Sequence, residues 1–247
     1  MATSRTAPAL LLGCGILSSL VYGAQNVLGT LLWPGYGSLS QTVSELSAID
    51  APSRAAMVPL SIAYGLLVVA FGLGVRATAG RDRGQRATAA LLVAFGVVCL
   101  LGPYAPMHRR EVLATGGGTL SDMLHLALTA VDVILIVLII ASAARAFGRR
   151  FRTYSTATVV VLLAAGAPTS LDADRVAHDL PTPWAGLFER ICIGAFLLWI
   201  CVFSIALIQK VAVPSQKTCL SNERSAGSNA GMPTPAPRSF DRLDSRS

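Results

Sequence analysis

Asp122, His125, Thr129 and Asp132 follow one another at spacings of three, four and three residues, so a helix would set all four on one face. They open a run that is otherwise apolar and carries no further charge up to Ala144. Along such a helix Asp132 lies about 15 Å beyond Asp122, a depth near the middle of a bilayer. An ionisable group at that depth faces protein or water, or takes a proton, because exposure to hydrocarbon costs about 2.5 kcal/mol or more. The face therefore offers a proton relay through Asp132, or a hydrogen-bonded clamp from Asp132 to Asn26 or Gln25. His125 with Asp122 is a pair suited to acid–base work.

The same reasoning extends to other polar residues. His108, His125 and His178, with Glu45, Asp122 and Glu189, all fall between or beside apolar runs on one expected side of the membrane. Imidazoles and carboxylates gathered there would hold zinc or activate water, which makes Glu45, His108, Asp122 and His125 catalytic candidates and His108, His125 and His178 metal candidates. No HExxH spacing is present, so such ligands would have to meet through folding. Glu189 and Arg190 open the last apolar run as an ion pair or as a binding site, and Arg190, Arg109 and Arg110 are each able to hold a lipid phosphate. A Gly-rich phosphate loop and a GxSxG nucleophile motif are both absent. Gly116-Gly117-Gly118 reads as a flexible connector.

The elements that must position these groups follow from composition. The chain has 247 residues, of which 53% are apolar and 13% charged, and its mean hydropathy is +0.60. Soluble domains carry about a quarter charged residues, so there is too little polar surface here for a water-soluble fold. The expected fold class is an all-α integral membrane six-helix bundle. Its spans lie at about residues 8–32, 55–75, 87–105, 120–144, 153–171 and 190–209, within a membrane domain over 1–210, each near the 20 residues a bilayer requires. Residues 211–247, rich in Ser, Asn, Pro and Gly, are expected to form a disordered cytoplasmic tail. The first span begins like a signal peptide, but Val21-Tyr22-Gly23-Ala24 fits cleavage poorly, so it reads as an uncleaved helix.

The net charge of +7 does not point to nucleic acid, because the basic residues sit in short loops between spans. Arg76, Arg81, Arg83 and Arg86 mark one loop, and Arg145, Arg149, Arg150 and Arg152 another. Basic loops stay in the cytoplasm, which places both termini there and sets the protein in the plasma membrane. Trp33, Tyr36, Tyr104 and Trp184 then fall at the outer interface. Cys14, Cys99, Cys192, Cys201 and Cys219 show no CxxC spacing and read as small packing residues. Between the first two spans, Leu39, Val43, Leu46 and Ile49 form one apolar stripe. Ser38 with Gln41 and Thr42 with Glu45 have capping-box spacing. A short amphipathic helix on the outer interface is expected there, with Gln41, Ser44 and Glu45 on its polar side.

Several of these pieces resemble the DUF998 family of uncharacterised multi-pass membrane proteins. They are Pro34-Gly35-Tyr36, Val43-Ser44-Glu45-Leu46, Pro106-Met107-His108, His125 and Gly186-Leu187-Phe188-Glu189-Arg190. With the spacing of the spans, the resemblance covers roughly residues 8–210. Family members often carry a short acidic segment in place of Pro106-Met107-His108 and a glutamine in place of Glu189, whereas Glu45, His125 and Arg190 match. The resemblance implies a six-helix membrane domain without an established activity, cofactor or substrate.

The expected site is a polar cavity opening outward, built from Glu45, Asp122, His125, Asp132 and Arg190. It fits three uses: recognition of a lipid headgroup, metal-assisted hydrolysis within the membrane, or proton-coupled carriage of a small solute through Asp132. The motifs specify no cofactor and no oligomeric state.

Overall fold

The computed structural model describes residues 3–212. Its long helices are α1 (Thr3–Leu32), α2 (Arg54–Thr78), α3 (Arg83–Leu101), α5 (Leu120–Ala143), α6 (Arg149–Leu171) and α8 (Ala185–Ala212). Two short helices, α4 (Arg110–Ala114) and α7 (Ala173–Ala177), lie in the connections. Among the described residues six helices are long and apolar enough to cross a membrane, the pattern of a multi-pass membrane protein.

The helices start and stop where local chemistry dictates. Asp82 caps α3 by accepting from the Gln85 amide (3.1 Å). Thr119 and Asp122 form a capping box at the start of α5. Pro168 lies in the last turn of α6, where it cannot donate to the Ala164 carbonyl, yet the helix stays continuous to Leu171. Most ends fall within a few residues of the expected spans. The shifts are greatest at the starts of α1, at Thr3 rather than near residue 8, and of α8, at Ala185 rather than near residue 190, so Glu189 and Arg190 lie inside the last helix. Their charges are met by a loop and do not mark its boundary.

In lipid there is little hydrophobic drive to bring helices together, so close fit decides packing. Gly65 of α2 and Gly96 of α3 lie backbone to backbone: a Cβ on either would come 3.1 or 3.0 Å from the other's carbonyl oxygen. Aromatic rings fill the wider centre. Phe95, Phe196, Trp199, Phe203 and Phe71 form a linked series at centroid distances of 5.0–6.4 Å, and the Trp199 indole donates to Ser155 Oγ (3.0 Å). Leu10, Leu31, Leu66, Ile134, Leu163 and Leu198 face outward, as a lipid-solvated surface requires.

The segment from Trp33 to Ser53 departs from expectation. It is a run of turns with a single 3-10 turn, Ser44–Ser47, and no amphipathic α-helix. Leu39 of the expected apolar stripe is exposed, while Glu45 of the expected polar side is buried. The Thr42–Glu45 spacing still forms half a capping box: Glu45 Oε1 accepts from the Thr42 amide (2.8 Å) and hydroxyl (3.0 Å). Helix growth is not favoured because Glu45, Tyr36 and the loop carbonyls find partners on other elements. The tail lies outside the described residues from 213 on, as does Cys219.

Candidate functional site

Three connections meet at the end of the bundle where α1 stops, here the distal end. They are the 33–53 segment, the α3–α5 connection and the α6–α8 connection. Glu45 is the one charge between Arg5 and Asp50 in sequence, and its side chain is only 2% exposed. Arg110, at the start of α4, meets it with two hydrogen bonds, Nε to Oε2 (2.7 Å) and Nη2 to Oε1 (2.7 Å). Two of the remaining guanidinium protons reach Thr182 Oγ1 (2.7 Å) and the Ser40 carbonyl (3.0 Å). Thr182 in turn donates to Ser40 (2.8 Å), so all three connections are tied through one buried ion pair. Burial works against the Arg110 cation, but Glu45 more than offsets it, and the guanidinium ends above its ordinary pKa.

A second arginine holds the same loop from the other side. Arg190 of α8 donates through Nη1 to the carbonyls of Ser38 (2.7 Å), Gln41 (3.2 Å) and Gly186 (3.0 Å), and through Nη2 to the Tyr36 hydroxyl (2.8 Å). The guanidinium also lies 5.6 Å from the Tyr36 ring centroid. The Tyr36 hydroxyl itself donates to the Thr42 carbonyl (2.7 Å). Burial pushes this phenol up to about 12 even against the pull of Arg190. Glu189, one residue away, accepts from the Val43 amide (2.5 Å). Gly186 permits this contact, since a Cβ there would run into the Gln41 carbonyl and stand 2.6 Å from that of Ser38.

The expected cavity residues are thus divided. Glu45, Glu189 and Arg190 come together, and the buried Tyr36 joins them. Tyr104 and Trp184 are exposed. His108 and Asp122 form their own pair: Asp122 accepts from the His108 amide (2.7 Å) and from His108 Nδ1 (2.9 Å). His125 donates from Nδ1 to the Ala105 carbonyl (3.1 Å), and His178 from Nδ1 to that of Asp174 (2.8 Å). His108 and His125 both tie the α3–α5 connection to α5, His178 lies in the α6–α8 connection, and among the described residues no three His, Cys, Asp or Glu side chains gather to hold a metal. Arg109 lies over the Trp33 ring at 5.4 Å.

On α5 the expected face is only partly realised. Asp122, His125 and Asp132 are half-buried, while Thr129 is exposed and bonds back to the His125 carbonyl (2.9 Å). The clamp from Asp132 to Gln25 or Asn26 does not form. Gln25 donates to Ser61 (3.0 Å), and Asp132 Oδ1 is buried with no hydrogen-bond partner among the described residues.

Beside Arg190 a groove of about 460 Å³ runs between α1 and α8. Its wall is mostly apolar, from Tyr22, Val27, Leu31, Ile193 and Leu197, with Ser38 and Arg190 at its distal end. Gly23 and Gly194 also line it, and a Cβ at either would meet nothing within 4 Å.

Comparison with known proteins gives one decisive result. A family model described as a protein of unknown function, DUF998, matches residues 16–206. The chain belongs to the DUF998 family. No curated protein and no solved structure matches it. In this DUF998 chain the short motifs that carry the resemblance are not scattered. Tyr36, Glu45, Gly186, Glu189 and Arg190 belong to one hydrogen-bonded knot, while His108 and His125 lie outside it. Sequence reasoning missed Ser40 and Thr182 and took Arg110 for a lipid ligand. The available signal was that Glu45, isolated in a long uncharged stretch, needs a cation from elsewhere in the chain.

Proposed function

We propose that this DUF998 protein is a lipid-binding membrane protein that takes an anionic headgroup at Arg190 and seats an acyl chain in the α1–α8 groove. The groove itself carries the reading: an apolar wall ends at a guanidinium and a loop hydroxyl, as a phospholipid's own polarity demands. Val27 and Leu31 at its rim are exposed, which opens it sideways to the bilayer. Arg190 Nε has no hydrogen-bond partner among the described residues and supplies a donor for a phosphate oxygen. The arginine-rich loops at the other end favour a cytoplasmic position for that end, so the groove mouth belongs to the outer leaflet of the plasma membrane.

The test fills the groove without touching the knot. Gly194→Phe enters open space, and the variant is purified beside the wild type from one anionic lipid mixture. Mass spectrometry of the bound lipid is expected to show a loss of at least tenfold in the variant with an unchanged melting temperature. Equal lipid retention would overturn the proposal. Arg190→Ala is a poorer first choice, because Arg190 also holds the loop.

A hydrolytic reading has one observation behind it. Asp122 orients His108 through Nδ1, which leaves Nε2 free of protein partners among the described residues to act as a base. Hydrolysis of a phospholipid or ester that survives His108→Gln would remove that reading.

A further inference from the structure

Asp132 lies near the middle of the 24-residue α5, on the stripe that continues through Ile136, Ile139 and Ala143 into the core. Its Oδ1 is buried, and neither a hydrogen bond nor an ion pair to it exists among the described residues. The groups within electrostatic reach are Tyr22 of α1, Tyr64 of α2 and Cys99 of α3. None is a cation. The two tyrosine rings pack edge to face at 4.9 Å. A carboxylate whose Oδ1 is shut away without a partner and without a nearby cation lacks what makes a buried anion tolerable. Among the described residues, no three metal-ligating side chains converge here.

We propose that Asp132 is a proton-binding site at the centre of the bundle, held neutral as a carboxylic acid and reached from the distal end past Tyr22. Tyr22 links the two regions: it lines the groove and feels Glu189 and Arg190 on one side and Asp132 on the other. The proton comes from water at the distal end. Its uptake turns the carboxylate into an acid, and its release restores one negative charge to the bundle interior. A group of this kind couples whatever moves through or along the bundle to the proton concentration outside. The inference is independent of lipid binding in the groove.

Infrared spectroscopy of the full chain in vesicles at neutral pH tests it. The wild type should show a protonated carboxyl stretch that shifts in heavy water. Asp132→Asn should lose that band, while Asp122→Asn keeps it. Asp132→Glu should shift the band rather than remove it, which serves if the asparagine variant does not fold. A wild type without the band, or a band unchanged in both Asp132 variants, would overturn the proposal.

Discussion

Glu45 and Arg110, 65 residues apart in the chain, meet through two hydrogen bonds of 2.7 Å and are both nearly out of solvent. Removing one partner of such a pair strands a buried charge, at a cost of about 3–5 kcal/mol. Glu45→Gln and Arg110→Met are each expected to lose that much stability in detergent unfolding, and the double variant to lose clearly less than the sum. Strict additivity would mean that the pair is not coupled in solution.

Gly186 presents a sharper contrast. Gly186→Ala places a methyl against the Ser38 and Gln41 carbonyls, backbone atoms that cannot swing aside, whereas Gly194→Ala meets nothing. The first variant is expected to undock the 33–53 segment and expose it to protease. The second should melt with the wild type. Equal proteolysis of the two would contradict the close contact.

Alkaline pH should act through Tyr36. An ordinary phenol ionises near 10, and this one is held up to about 12. Between those values the unfolded chain loses its proton while the folded one keeps it. The stabilisation is therefore fully present below about 10 and is lost as pH rises through about 12, amounting to about 3 kcal/mol. Tyr36→Phe should flatten that part of the stability curve. A curve with the same slope in both proteins would assign the effect elsewhere.

Asp122 accepts from four donors, the amide and hydroxyl of Thr119 and the amide and ring of His108. Asp122→Ala should cost about 1–2 kcal/mol, the range for a lost helix cap. It should also speed amide exchange across the α3–α5 connection. Unchanged exchange from Pro106 to Thr119 would show that the cap does not hold that connection in place.

Hydropathy and charge spacing give the six helices long and apolar enough to span a membrane. The reason is local: about 20 apolar residues in a row have few alternatives to a helix that satisfies its own backbone. Asp132 is legible in the same way, as an acid alone in an apolar run. The partners of these residues are not. Whether Glu45 points to water or to Arg110, whether Tyr36 floats at the interface or joins the core, and whether residues 38–49 coil into a helix depend on which connections share an end of the bundle. The close approach of Gly186 to the 33–53 loop exists only after α8 has docked. Local periodicity carries no information about contacts made across more than a hundred residues, and those contacts decided which polar groups form a site and which are left alone.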